Sequence, residues 1–236
     1  MLNYRDVLDV LDKAFNPSLN EKRPTNLLCL NISDKYLAAD IKVMVFGQET
    51  NDWHGDYGGA HEAESLVEEY DEFFTSNKCF SYGGQFWNAV SKMVDILQDK
   101  TGQSVGLLWN NIIKIGKSGD KGRPEIEVIE WQQPAMKLIL KEIEIAKPDI
   151  VIFFTGPDYD DMLHVVFEDI QFECASEKSV RQLALVSSKY LPSKSVRTYH
   201  PGYLWRNDFY DYLNDILAIV IPKADSESTT CTQVNK

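Results

Sequence analysis

The sequence is poor in cysteine and has no cysteines at short spacing. Its four cysteines lie far apart in a chain of 236 residues: Cys29, Cys79, Cys174 and Cys231. Such spacing argues against a disulfide framework, a structural zinc site and an iron–sulfur cluster. We therefore interpret the four side chains as isolated small apolar groups in a reducing compartment.

Long apolar segments are also absent. No run approaches the roughly 20 apolar residues that a membrane-spanning helix needs. The first residues, Met1-Leu-Asn-Tyr-Arg-Asp6, enter an amphipathic pattern directly. We expect no membrane partner and, by default, a cytoplasmic location.

Positive charge is scarce. The chain has 24 Lys and Arg residues against 36 Asp and Glu residues, which gives a net charge of -12. A polyanion such as DNA is repelled by such a chain at long range, so DNA binding needs a local basic surface. The most basic stretch, from Lys114 to Arg123, has four basic residues and one acidic residue. It is predicted to be a loop that either contacts a ligand or is simply solvated.

Apolar patterns along the chain alternate between strand-like and helix-like segments. Buried strands are predicted at 41–47, 105–113, 149–156 and 195–199. Helices are predicted at 3–15, 60–74, 86–97, 132–146, 158–170 and 208–220, and the segment 172–191 fits neither pattern. This alternation predicts an α/β, single-domain, three-layer fold with a central parallel four-stranded sheet flanked by helices. The domain is placed at residues 1–223, and a disordered Ser/Thr-rich tail is predicted at 224–236.

A cluster of polar residues follows the first predicted strand. The apolar run ends at Gly47, and Gln48, Glu49 and Asn51 come next, with Asp52 and His54 close behind. Ligands of parallel α/β sheets bind outside the carboxyl ends of the strands, so these residues are candidates for one site. The alternative is a strand-to-loop turn whose polar side chains only form local hydrogen bonds.

Two further segments carry polar groups at the ends of predicted strands. The paired amides Asn110 and Asn111 interrupt the apolar strand 105–113, where each needs hydrogen-bond partners. An amide there either pins a neighbouring loop or reads a polar ligand such as a base edge. The last strand leads into His200-Pro-Gly-Tyr-Leu204.

The motifs Gly47-Gln-Glu49 and His200-Pro-Gly-Tyr-Leu204 resemble the paired signatures of the uracil-DNA glycosylase superfamily. That family has Gly-Gln-Asp-Pro-Tyr in its first motif and His-Pro-Ser-Pro-Leu in its second. An asparagine ends an intervening Leu-rich strand, and Leu107-Leu-Trp-Asn110 stands in its place here. The segment Lys78-Cys-Phe-Ser81 looks like the family segment whose Phe stacks on the extruded base.

The resemblance implies a role for each matching residue. Glu49 would position a water molecule and stabilise the cationic sugar, and His200 would donate a hydrogen bond to the departing base. Asn110 would read the base edge, Phe80 would stack on it, and the backbone near Gln48 would contact a base carbonyl. Gly47 and Asn51 are candidates for the substrate site by their position at the end of the strand. Leu204 would fill the space that the flipped nucleotide leaves in the duplex. The resemblance implies no metal and no cofactor.

The sequence departs from the family pattern in both motifs. Glu49 replaces an aspartate, and Thr50 and Asn51 replace the Pro-Tyr pair. In the family that tyrosine excludes thymine, so a bulkier or modified base becomes a candidate substrate. Gly202 and Tyr203 replace Ser and Pro in the second motif, which changes the loop that grips phosphate.

Two functions from different classes remain open at this point. The first is a monomeric DNA glycosylase that hydrolyses the N-glycosidic bond of uracil or a modified base, with DNA containing a damaged or modified base as its partner. The second is a glycosylase-like fold without catalysis that binds nucleic acid or a protein. The acidic residues between 60 and 74 are either a solvated helix face or a DNA-mimicking acidic face, and a protein partner could bind through the acidic surface.

Overall fold

Four neighbouring parallel strands form one side of the sheet in the computed structural model, which describes residues 2–58, 62–76, 78–81 and 83–221. The sheet has six strands in the order β2-β1-β3-β6-β5-β4. The first four run parallel to one another, and β5 and β4 extend the sheet by antiparallel pairing. The α/β class is confirmed. The predicted sheet is wrong in two respects, because it has six strands rather than four and is mixed rather than parallel.

The strands are β1 Ile41–Asn51, β2 Val105–Lys117, β3 Ile150–Phe153, β4 Gln171–Cys174, β5 Leu183–Ser187 and β6 Ser195–Thr198. The longer helices are α1 Tyr4–Ala14, α3 Ala63–Thr75, α5 Gln85–Thr101, α7 Gln133–Ala146 and α10 Phe209–Val220. Shorter helices are α2 Asp34–Leu37, α4 Lys78–Ser81, α6 Ile126–Trp131, α8 Asp160–Val166 and α9 Pro201–Leu204, and the 3-10 turns are Pro17–Lys22 and Pro157–Tyr159. The proposed tail 224–236 lies outside the described residues.

The two additional strands come from the segment that fits neither pattern in the sequence. Strand β4 is largely exposed, so its side chains show no apolar alternation. Strand β5 pairs with β6 on one side and with β4 on the other. Pairing against an already formed sheet edge therefore decides their conformation, which local propensity leaves open.

Helices cover both faces of the parallel strands. On one face, Trp109 of β2 packs against Trp87 of α5, with ring centroids 5.4 Å apart. On the other face, Asn110 of β2 donates to Glu142 of α7 at 2.7 Å. Because neighbouring residues of a strand point to opposite faces, Asn110 and Asn111 belong to different layers.

Strand β2 runs further than predicted and takes in part of the basic stretch. Lys114 lies within the strand and is completely buried, with its Nζ 2.6 Å from Glu142 Oε1 and 3.1 Å from Asn110 Oδ1. The hydroxyl of Tyr4 donates to the same Glu142 carboxylate at 2.8 Å. The prediction that Lys114 belongs to a surface loop is therefore wrong, because the lysine is part of a buried polar network.

Candidate functional site

The carboxyl ends of the parallel strands meet at one edge of the sheet, where the two predicted motifs converge. In the pairing of β1 with β2, Gly47 lies opposite Asn111. Gln48 donates from Nε2 to the carbonyl oxygen of Thr155, just beyond β3, at 2.7 Å. His200 follows β6, the next parallel strand after β3. Glu49 lies near the end of β1 and His200 follows β6. These two strands are separated by β3, so their axes are roughly 10 Å apart.

Glu49 sits in a half-buried position near the end of β1. The hydroxyl of Tyr159 donates to its Oε2 at 2.5 Å, and the backbone of Gly122 also hydrogen-bonds to the carboxylate. Burial raises the pKa of Glu49 above its ordinary value, while these hydrogen bonds and the charges of Lys117 and Arg123 work in the opposite direction. The result is a carboxylate that is held by two hydrogen bonds and has a raised affinity for a proton.

Tyr159 is held in turn by a guanidinium group. The Cζ atom of Arg123 lies 4.6 Å from the centre of the Tyr159 ring, a cation–π arrangement. Arg123 also forms a two-pronged pair with Asp161, with contacts of 2.7 and 2.8 Å, and donates to the carbonyl oxygen of Asp158 at 2.6 Å. These contacts fix the loop after β2 against the turn after β3 and the start of α8.

His200 begins helix α9 and uses one ring nitrogen to cap it. Its Nδ1 accepts a hydrogen bond from the backbone N–H of Gly202 at 3.1 Å. Burial, and secondarily the charge of Arg206, lowers the pKa of His200 below its ordinary value. A neutral imidazole that accepts at Nδ1 carries its proton on Nε2, so His200 is set up as an Nε2–H donor.

Phe86, near the start of α5, connects the two motifs. Its ring stacks on His200 with centroids 5.9 Å apart and an interplanar angle of 27°. A methyl group built on Gly47 would lie 3.5 Å from Phe86 Cε2. The Phe86 ring therefore lies between the end of β1 and the residues that follow β6.

The two asparagines of β2 have separate surroundings. Asn110 is completely buried, with Nδ2 bonded to Glu142 and Oδ1 accepting from Lys114 and from the backbone N–H of Asn111. Asn111 faces Gly47, whose missing Cβ would lie only 2.3 Å from Asn111 Oδ1. The structure thus brings Asn111 to the Gly47 and Phe86 side, and places the predicted base reader Asn110 in the opposite layer.

The remaining predicted residues lie at the margins of this site or away from it. Leu204 is 1% exposed and packs in the core, whereas its neighbour Tyr203 is 39% exposed. Phe80 is half-buried and packs edge-on against Trp87, with centroids 6.0 Å apart. Asn51 is exposed beyond a register shift in β1. The structure therefore brings together Gly47, Gln48, Glu49 and His200, with Phe86, Asn111 and Tyr159 added.

A sequence signal existed for each of the three added residues. Tyr159 comes shortly after the predicted strand 149–156, at an edge where ligands bind. Asn111 belongs to the recognised amide pair, and a choice between the two needs the strand register. Phe86 begins a predicted helix, where an aromatic residue is ordinarily read as part of the core.

Acidic side chains neutralise much of the basic stretch. Three of its four basic residues form ion pairs: Lys114 with Glu142, Lys117 with Asp120 at 3.4 Å, and Arg123 with Asp161. Near the second motif, His200 to Leu204, Arg206 is exposed, and its charge lowers the pKa of His200. The local positive charge at this edge is therefore smaller than the sequence indicates.

Two grooves lie outside the candidate site. One, of about 910 Å³, runs between α1 and α3, and another, of about 590 Å³, lies between α5 and Trp205. Among the described residues, no group of three or more His, Cys, Asp or Glu side chains is arranged to hold a metal ion. No helix in the described ranges is long and apolar enough to cross a membrane.

No protein-family model matches the chain, and no curated protein matches it significantly.

Proposed function

We propose that this protein is a uracil-DNA glycosylase-like enzyme that hydrolyses the N-glycosidic bond of uracil or a modified base in DNA. The observation that carries the proposal is the arrangement of a held carboxylate, Glu49, and a neutral histidine, His200, on strand ends about two strands apart. Phe86 lies between the motifs that bear them. The order of the parallel strands and the motifs at their carboxyl ends support a glycosylase-like fold.

Glu49 would act on the sugar. As the bond between C1′ and the base breaks, its electron pair leaves with the base and positive charge develops on the deoxyribose. An anion beside C1′ stabilises that charge, and the same carboxylate orients a water molecule and accepts its proton when the water oxygen attacks C1′. Tyr159 and the backbone of Gly122 hold the carboxylate in position for this purpose.

His200 would act on the base. Negative charge develops on the base as it departs, and a donated hydrogen bond stabilises it. The backbone N–H of Gly202 keeps Nδ1 as an acceptor, so Nε2–H is the donor. The lowered pKa keeps the imidazole neutral near pH 7, which avoids placing a second cation beside the developing cationic sugar.

Base recognition would fall to Phe86 and Asn111. Phe86 offers a ring face next to Gly47 and His200, where an extruded base can stack. Asn111 supplies an amide at the same position along the sheet. We therefore propose these two residues in the roles that the resemblance assigns to Phe80 and Asn110. Tyr203 is the exposed side chain of the second motif and the candidate for contact with the remaining strand.

One observation favours the second function, a glycosylase-like module that binds a protein or nucleic acid without catalysis. The basic stretch is largely paired with acidic side chains, and the whole chain carries a charge of -12. Leu204 is also buried and cannot enter a duplex without local rearrangement. The module has no need for the held carboxylate and the neutral histidine, which is why we place the enzyme first.

The test is a base-release assay at low salt on labelled single- and double-stranded DNA that contains uracil, mismatched thymine or a modified base. Abasic sites are cleaved by alkali and counted. We expect release from at least one substrate, and a loss of at least about 100-fold in Glu49→Gln and in His200→Ala.

Matched controls come from exposed residues that are not part of the proposed site. Glu173→Gln changes an exposed carboxylate on β4, and His164→Ala changes an exposed histidine on α8. Both controls are expected to keep wild-type activity. No release from any substrate, combined with no DNA binding, would refute the enzyme. DNA binding without release would favour the module.

A further inference from the structure

The amide of Asn111 has a fixed orientation that is set by its neighbour on the same face of β2. The indole Nε1–H of Trp109 donates to Asn111 Oδ1 at 3.2 Å. An indole N–H can only donate, and Trp109 is 8% exposed, so solvent offers it little alternative. The group that faces Trp109 must therefore be the amide oxygen and not the NH2 group.

The β1 backbone encloses the same oxygen from the other side. A Cβ on Gly47 would lie 2.3 Å from Asn111 Oδ1, so the oxygen rests directly against the glycine. No described residue accepts a hydrogen bond from Asn111 Nδ2, and Asn111 as a whole is 2% exposed. The NH2 group is therefore the part of the Asn111 side chain that is left to bind a ligand.

We infer that Asn111 is a donor-only reader, and that the site prefers a base with two adjacent acceptors, such as the O6 and N7 atoms of a 6-oxopurine. This inference rests on the proposed base-release function. One NH2 group carries two N–H bonds, which matches the O6 and N7 pair. Uracil places an N3–H between its two carbonyl groups, and reading that donor requires the amide oxygen that Trp109 and Gly47 occupy.

The two residues that follow Glu49 are either small or exposed. Thr50 is 1% exposed and its hydroxyl lies 3.0 Å from that of Thr25. Asn51 is exposed. Neither position carries a bulky aromatic side chain that would exclude a larger base.

The size of the preference for a 6-oxopurine over uracil follows from the free-energy cost of rotating the Asn111 side-chain amide by about 180°. A flipped Asn111 would place its NH2 group against the Trp109 N–H and leave a buried donor without an acceptor. Such a loss corresponds to a preference of about 10-fold to 100-fold.

The experiment compares binding of two oligonucleotides, one with deoxyinosine and one with deoxyuridine, to the Glu49→Gln protein, which is expected to bind without release. We expect the deoxyinosine strand to bind at least about 10-fold more tightly. Trp109→Phe in the same background keeps a ring and removes the N–H, so the preference should shrink to within a few-fold. Asn111→Asp removes the donor and should abolish the preference if Trp109→Phe does not fold.

The outcomes separate this inference from the proposed function. Release of uracil by the wild-type protein together with equal or tighter binding of the deoxyuridine strand would overturn the inference alone. A preference for deoxyinosine that survives both Trp109→Phe and Asn111→Asp would also overturn it. Absence of release and of binding for both strands would overturn the proposed function, and the inference with it.

Discussion

Replacing Lys114 by methionine should destabilise the fold severely although the two side chains are similar in length. Both Lys114 and Glu142 are completely buried, with their charged atoms 2.6 Å apart. The methionine would fill most of the space but leave the Glu142 carboxylate without its cation. Tyr4 and Asn110 would remain as its neutral hydrogen-bond donors.

The size of the expected destabilisation follows from the burial of the ion pair between Lys114 and Glu142. Removing one partner of a buried ion pair costs about 3–5 kcal/mol, because the remaining charge is uncompensated. A domain is stable by about 5–15 kcal/mol in total, so Lys114→Met would remove a large share of that stability. The double variant Lys114→Met/Glu142→Gln leaves no charge behind and keeps an amide oxygen for the donors, so it should be more stable than the single variant.

Urea unfolding followed by tryptophan fluorescence measures these differences as changes in midpoint at constant slope. The matched control is Lys141→Met, because Lys141 is an exposed lysine on the same helix as Glu142 and pairs with Glu144. That control should leave the midpoint unchanged. A loss below about 1 kcal/mol in Lys114→Met, or a double variant that is less stable than the single one, would refute the reasoning about the buried charge.

Three other predictions concern the candidate site. Burial raises the pKa of Glu49 above its ordinary value of 4.5, so the acid limb of the kcat/KM profile should have its midpoint above pH 4.5, and a midpoint below that value would contradict the shift. A raised carboxyl pKa contributes stability below about pH 4.5 that is lost as the pH rises through the folded value. Glu49→Gln should therefore have a higher Tm than the wild type at pH 7.5 but not at pH 4. A lower Tm of the variant at pH 7.5 would contradict the raised pKa of Glu49. Gly47→Ala should fold yet lose base release, because the only atom that the new Cβ approaches within 3.0 Å is the side-chain oxygen of Asn111, at 2.3 Å. Gly116→Ala should not fold, because its Cβ would lie 1.8 Å from the backbone oxygen of Thr50, and circular dichroism on both variants checks this contrast.

The sequence was sufficient to find the four parallel strands and most of the longer helices. Each of these strands is buried, so its apolar run is nearly continuous. The helices α5 and α7 show their apolar periodicity because one face packs on the core. Short exposed elements such as β4 carry no such signal, because their conformation depends on pairing with strands distant in the sequence.

The candidate site also has one part that the sequence predicts and another that only the tertiary structure decides. The residue types at the strand ends, with Gly47, Glu49 and His200 among them, can be read directly from the sequence because a polar cluster after a buried strand is a local pattern. Only the tertiary structure separates Asn110 from Asn111, since a shift of one residue along a strand exchanges the two faces of the sheet. It alone places Leu204 in the core, Lys114 beside Glu142 and Tyr159 on Glu49, because these contacts join residues far apart in the chain. Local chemistry thus determined which groups are available, and long-range packing decided which of them meet.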